Sequence, residues 1–75
     1  TAYDVWINTK LNSQLIAEKG IKSTNYQTRV VNSVIYLIGR ALSNRELNKV
    51  LTIANRTKHV GGVVHHILVG PVNRQ

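Results

Sequence analysis

The sequence contains no cysteine, and its only acidic residues are Asp4, Glu18 and Glu46. The absence of cysteine excludes disulfides and thiolate metal sites in this stretch. The three acids fall near the ends of predicted helices, so they offer no carboxylate pair for general acid–base chemistry. A nucleophile elbow and a phosphate-cradling glycine loop are also missing. We therefore predict that the chain is not an enzyme.

Long apolar runs are missing too, and no stretch of the sequence is apolar over the length that a bilayer span requires. The chain begins at Thr1 inside a helical pattern and shows no signal peptide, so we expect a fragment of a longer protein whose targeting segment lies upstream. Its 75 residues suffice for one small domain with a modest core.

Basic residues, in contrast, are plentiful. Ten lysines and arginines give the chain a formal net charge of +7. Such a surface favours anionic partners, either lipid headgroups or nucleic acid. Binding to either should collapse when salt is added, whereas binding through an apolar interface should persist.

Residues 26–39 are rich in β-branched and aromatic side chains and are interrupted at Asn32 and Ser33, which predicts two strands joined by a tight turn. Gly39 is predicted to close the second strand. Both faces of that strand are apolar, with Ile35 and Leu37 on one face and Val34, Tyr36 and Ile38 on the other. Because one layer of helices covers only one face of a sheet, an apolar face is left over.

A first helix is predicted from about Ala2 to Ala17, with Thr1 as its cap and Asp4 at the third helical position of a capping box. At roughly 100° per residue, its core stripe consists of Ile7, Leu11 and Leu15. A second surface lies well round the helix, and we predict that it contacts a membrane through Val5, Trp6, Thr9, Lys10, Ser13 and Ile16. The alternative is that Val5 and Ile16 pack against the other helix, with Trp6 as a half-buried prop.

A second helix is predicted after Ser43, which forms a capping box with Glu46. Its predicted core stripe is Leu47, Val50, Leu51, Ala54 and Lys58. On the opposite side lie Arg45, Lys49 and Arg56, which we expect to supply long-range attraction to an anionic membrane. The alternative for these three residues is an ordinary solvated helix face.

Residues 63–69 predict a third strand in which His65 and His66 point to opposite faces. Two such histidines cannot share a pocket, so we predict neither a metal site nor a cofactor. The resulting order is helix, strand, strand, helix, strand. It predicts an α+β fold, αββαβ, in which a mixed three-stranded sheet is covered on one face by two helices.

The predicted domain comprises residues 1–70, and residues 71–75 are predicted to be a frayed tail. The uncovered sheet face is predicted to be a protein interface, because so much exposed aliphatic surface is unusual on a monomer. Its members are Val31, Val34, Tyr36, Ile38, Val64 and Leu68. A sister module or a symmetric copy of the chain could cover it.

These residues carry a resemblance to the BON domain, a small α+β module of bacterial envelope proteins. The match extends over nearly the whole chain, and its residues are Ile7, Leu11, Leu15, Ile35, Leu37, Gly39, Ile53, Ala54, Val60 and Val63. Residues 4–15, DVWINTKLNSQL, and residues 21–25, IKSTN, resemble more closely the second BON module of two-module outer-membrane lipoproteins of Gram-negative bacteria. The chain departs from the pattern at Ser33, where the family usually has glycine in the hairpin turn, and at His59, where it usually has glycine before the loop valine.

The resemblance implies a non-catalytic periplasmic module that binds phospholipid membrane or tethers its outer-membrane lipoprotein to the envelope, and the net charge of +7 favours anionic headgroups. A protein-interaction module that uses the open sheet face is the alternative. Nucleic-acid binding is less favoured, because the chain has no GxxG clamp between helices and no clustered strand aromatics on which bases could stack.

Overall fold

The computed structural model describes residues 2–70. The elements in chain order are helix α1 (Ala2–Ala17), a 3₁₀ turn (Ser23–Asn25), strand β1 (Tyr26–Val31), strand β2 (Val34–Ala41), helix α2 (Asn44–Arg56) and strand β3 (Gly62–Val69). The predicted α+β order is therefore confirmed. The predicted cap at Thr1 and the predicted frayed tail at residues 71–75 lie outside the described residues.

Strand β2 lies at the centre of the sheet, whose order is β1-β2-β3. It pairs antiparallel with β1 and parallel with β3, so the sheet is mixed, as predicted. The prediction that Gly39 closes β2 is wrong, since the strand continues to Ala41. The reason is the parallel ladder to β3, which runs without interruption from Val34 opposite Gly62 to Ala41 opposite Val69.

Gly39 instead marks a close approach inside the strand. A Cβ atom at this position would collide with the backbone carbonyl oxygen of Asn25 and with the Tyr26 ring. Only glycine lets β2 run this close to the start of β1.

The hydrophobic core lies between the two helices and one face of the sheet. All three predicted core residues of α1 are buried. In α2 the prediction of Lys58 as a core residue is wrong: the helix ends at Arg56, Thr57 turns to an extended conformation, and Lys58 is exposed. Ile53, absent from the predicted stripe, is buried there with Val50 and Ala54.

The hairpin turn is fastened to the start of α1. Asn32 and Ser33 both have positive φ angles, 50° and 68°, as in a type I′ turn. The Asp4 carboxylate accepts the N–H groups of Asn32 at 3.0 Å and of Ser33 at 2.8 Å. The hydrogen bond from Ser33 is the main reason that the pKa of Asp4 lies below its ordinary value. Asp4 thus joins a helix to a turn, whereas the sequence had placed it only in a capping box.

Ser33→Gly should raise the free energy of unfolding by about 1 kcal/mol, because glycine adopts positive φ without the steric cost that a Cβ carries. The N–H group that donates to Asp4 is retained in the variant. Urea denaturation measures the change, and an unaltered or lower midpoint would show that the turn is not strained at Ser33.

Candidate membrane-contact surface

The six residues predicted to contact a membrane are all exposed. The buried stripe of α1 faces the sheet, which leaves the other side of the helix to solvent. Val5 and Ile16 are 70 % and 71 % exposed, the highest values among the large apolar side chains of residues 2–70. The alternative prediction, that these two side chains pack against the other helix, is therefore wrong. The outer side of α1 carries apolar surface that the core does not use.

Trp6 lies on the same surface but is less exposed than Val5 and Ile16. Its indole makes an edge contact with the ring of His59, with 5.6 Å between centroids. The His59 ring in turn stacks on Tyr3, with centroids 4.2 Å apart. Trp6 nevertheless remains 43 % exposed. The contact with His59 holds one edge of the indole in place, and a large part of the indole surface remains accessible to solvent.

His59 reaches this cluster from the loop between α2 and β3. Its φ angle is 70°, the left-handed conformation that glycine adopts most readily. The residue thus keeps the backbone conformation expected of glycine at this place and adds a ring that contacts Tyr3 and Trp6. Sequence reasoning missed this cluster, because residues so far apart in the chain leave no local pattern.

The rotation of α1 about its axis is fixed by polar contacts to β1. The Thr28 hydroxyl lies 2.8 Å from Asn8 Oδ1 and 2.9 Å from Asn12 Oδ1. Asn8 and Asn12 are successive on one flank of the helix, and Thr28 lies on the helix-facing side of β1. These contacts help to keep the outer surface of α1 turned away from the sheet.

The three predicted electrostatic residues share one face of α2. Arg45, Lys49 and Arg56 line a shallow groove of about 420 Å³, together with Glu18, Asn48, Thr52 and Ile53. Lys49 Nζ donates to the Lys19 carbonyl at 3.0 Å and lies 3.9 Å from the Glu18 carboxylate. Within residues 2–70, Arg45 and Arg56 have no carboxylate partner. Two of the three charges are therefore free to meet an external anion.

Glu46 is the one acidic side chain that is buried, and it is fully engaged. Its carboxylate accepts the Lys22 N–H at 3.1 Å, the Tyr26 hydroxyl at 2.8 Å and the Leu42 N–H at 3.0 Å. The predicted capping box is half confirmed: Ser43 Oγ accepts the Glu46 N–H at 3.2 Å, but the carboxylate binds Leu42 rather than Ser43.

These contacts set the ionisation of Glu46 and Tyr26. Burial raises the pKa of Glu46, but the hydrogen bonds from Leu42, Tyr26 and Lys22 outweigh it, so its pKa is lower than usual. Burial, with the Glu46 carboxylate alongside, raises the pKa of Tyr26. The Glu46 carboxylate therefore has a structural role and is not placed to act on a substrate.

The predicted protein interface is a continuous surface in the structure. The cross-strand register puts Val31 beside Val34, Tyr36 beside Val64, and Ile38 beside His66, all on the face away from the helices. Five of its six apolar members are exposed, and the sixth, Val34, is partly so. Arg29 and Arg40 lie on the same face.

The histidines of β3 behave as predicted, since His65 pairs with Leu37 on the helix-facing side and His66 pairs with Ile38 on the open face. No three His, Cys, Asp or Glu side chains within residues 2–70 are grouped to hold a metal ion. Neither helix in that range has the length and hydropathy of a membrane span.

The BON domain family model matches residues 3–71, so the chain belongs to the BON domain family. BON domains occur in envelope proteins and are generally non-catalytic modules. The chain is also 39 % identical over 66 residues to a protein of Anaplasma centrale described as "Uncharacterized protein in gshII 5'region". That alignment covers 88 % of this chain but 44 % of the relative, so the chain corresponds to less than half of that protein.

Proposed function

We propose that this BON domain binds the surface of phospholipid membranes, with a preference for anionic headgroups, and has no catalytic activity. Through this contact it helps to tether or localise a parent lipoprotein at the outer membrane, on the periplasmic side. The observation that carries the proposal is the exposure of Val5, Trp6 and Ile16 on the side of α1 that the core leaves free.

The residue types on this surface suit a bilayer interface. The Trp6 ring is apolar while its N–H still needs a polar partner, which is the combination found in interfacial aromatic belts. Lys10 follows Trp6 by one helical turn and can extend its ammonium group to a phosphate while its stem stays among apolar groups. Because the Ile7, Leu11 and Leu15 stripe is already buried in the domain, α1 can lie in the interface without unfolding it.

Co-sedimentation with vesicles tests the proposal. The chain should sediment with phosphatidylglycerol-containing vesicles and much less with pure phosphatidylcholine vesicles. A DNA oligonucleotide added as competitor should displace little of it. Failure to sediment with either kind of vesicle at low salt would reject membrane binding, and preferential release by the oligonucleotide would favour nucleic acid.

The basic face of α2 should add attraction without specificity. Replacing Arg45, Lys49 and Arg56 by glutamine lowers the formal charge from +7 to +4. Each basic residue near an anionic membrane contributes about 1 kcal/mol, so affinity should fall more than tenfold at low salt and change little at high salt.

A matched pair of variants separates this face from net charge. Arg45→Gln with Arg56→Gln removes two charges from the helical side, and Arg29→Gln with Arg40→Gln removes two from the opposite side of the sheet. Only the first pair should weaken binding strongly. Equal losses would mean that net charge alone acts, and no loss in either would mean that α2 faces away from the bilayer.

The open sheet face supports a second candidate function, binding of another protein module. Ile38 is 55 % exposed at the centre of this face. Ile38→Lys should leave the melting temperature of the isolated domain nearly unchanged and abolish association with a sister module or a symmetric copy that covers the face. Unaltered association and stability in the full-length protein would reject this use of the face.

A further inference from the structure

Strand β3 is an outer strand of the sheet and lacks the usual protection of such a strand. Within residues 2–70 it pairs with β2 alone, over eight residues and without a bulge. Protein sheets normally protect an edge with lysine, proline, a bulge or shortness. The sequence of β3, GVVHHILV, has none of these, whereas the opposite outer strand β1 is shorter and carries Arg29.

The free edge offers a full row of backbone groups. Gly70 donates its N–H to the Ala41 carbonyl on β2 at 2.8 Å. Since successive residues of a strand direct their N–H and C=O groups to opposite edges, Leu68, His66 and Val64 also bond to β2. The corresponding groups of Val63, His65, Ile67 and Val69 therefore point away from the sheet.

We propose that this edge binds the same edge of a second copy of the chain, in an antiparallel pairing that joins two three-stranded sheets into one of six strands. The charge distribution makes this strand a suitable place for a second copy of the chain. Two chains of +7 repel, but β3 contains no lysine or arginine, so it is a strand along which two copies can approach with least repulsion.

Symmetry then fixes the register. When two identical edge strands pair antiparallel, the two-fold axis is perpendicular to the sheet. Each residue of β3 must therefore lie opposite a residue of the second copy whose side chain is on the same face of the sheet. If the axis passes beside His66, all four residues whose backbone groups point away from the sheet form hydrogen bonds across the new edge. Val63 then pairs with Val69 of the second copy, and His65 pairs with Ile67. On the open face it sets Val64 against Leu68, which pairs apolar with apolar.

This arrangement has a consequence that rests on the proposed function. Because the axis is perpendicular to the sheet, the helices of both copies lie on the same side, and both Trp6 surfaces face one membrane. Two weak contacts with one bilayer bind more strongly than either alone. The association itself needs no lipid, so it can be measured separately from membrane binding.

Sedimentation equilibrium of the chain without lipid tests the pairing. An eight-residue edge contact is small, so we expect reversible, concentration-dependent doubling of the 8.4 kDa mass. Association should be tighter at high salt, which screens the repulsion, and this is the opposite of the salt dependence expected for lipid binding. A monomer at all concentrations and salt levels would overturn the proposal.

Two pairs of variants locate the contact. His65→Pro removes an N–H that points to the free edge and should give a monomer, whereas Ile38→Lys, which tests the second candidate function, should abolish only an association through the open face. His66→Lys should also give a monomer, while Gln27→Lys should not. Gln27 lies in the same cross-strand row as His66, at the opposite edge. Loss of the dimer in Ile38→Lys with retention in His65→Pro would assign the dimer to the open face and refute the edge. Melting temperatures verify that each variant is folded.

Discussion

Glu46→Ala should destabilise the domain by about 3 kcal/mol, the largest effect that we expect from an exchange of a polar residue. Glu46 is 4 % exposed, and its carboxylate accepts hydrogen bonds from the Lys22 and Leu42 N–H groups and the Tyr26 hydroxyl. Its removal leaves the buried Tyr26 hydroxyl and the partly buried Lys22 and Leu42 N–H groups without this acceptor. A domain of this size has a total stability of roughly 5 kcal/mol, so the variant should keep only about 2 kcal/mol and melt at a clearly lower temperature than the wild type.

Glu18→Ala is the matched control for this variant. Glu18 is an exposed acid whose nearest cation, Lys49 Nζ, is 3.9 Å away. Exposed pairs of this kind contribute little, so the change should stay within about 0.5 kcal/mol. Comparable losses in the two variants would show that Glu46 acts only through its charge and that its three hydrogen bonds add nothing.

The same carboxylate makes stability depend on pH. The pKa of Glu46 is lower in the folded chain than its ordinary value, so its contribution is present above the unfolded pKa and is lost as the pH falls through the folded one. Asp4, whose pKa is also lowered, adds a contribution of the same sign. In the Glu46→Gln variant, the free energy of unfolding should therefore fall less steeply as the pH is lowered. The part of the fall that comes from Asp4 should remain. An unchanged acid limb would contradict the role given to Glu46.

The second large effect concerns binding. Trp6→Ala should lower the affinity for anionic vesicles by about tenfold or more, because burying a large aromatic surface in the interface contributes on the order of 2 kcal/mol. Stability should fall by only about 1 kcal/mol, since the indole makes one edge contact with His59 and is 43 % exposed. Co-sedimentation and thermal melting measure the two quantities.

Tyr3→Ala provides the matched control for Trp6→Ala. Tyr3 stacks on the same histidine but lies outside the predicted contact set, so its loss should cost similar stability and leave vesicle binding nearly intact. A large fall in melting temperature for Trp6→Ala, with binding retained by the folded fraction, would place Trp6 in the core. Equal binding losses in both variants would assign the effect to the loop instead.

What could be predicted from the sequence is what depends on local periodicity. The α1 core stripe and the alternation of Ile35 and Leu37 with Tyr36 and Ile38 follow directly from the periods of helix and strand, and the structure reproduces them. The prediction failed at element ends. Periodicity does not say where a helix stops, so it extends the predicted core stripe to Lys58, beyond the end of the helix at Arg56.

Contacts between residues that are distant in the chain could not be predicted from the sequence either. Glu46 looked like an ordinary capping acid, yet its partners Lys22 and Tyr26 come from another part of the chain. The stacking of Tyr3 on His59 has no counterpart in any local pattern. The exposure of the outer side of α1 could be predicted, because this side is what the clear core stripe of the helix leaves over, whereas the contact of Tyr3 and Trp6 with His59 depends on the three-dimensional fold.

The chain contains one tryptophan, so its fluorescence reports on the proposed contact directly. The most direct test titrates the chain with phosphatidylglycerol vesicles that carry a brominated acyl chain. The proposal predicts a blue shift of the Trp6 emission and quenching by bromine placed near the headgroup end of the chain, stronger than by bromine near the bilayer centre. Sedimentation with the vesicles but with unchanged and unquenched emission would contradict it, because the membrane would then be bound without Trp6.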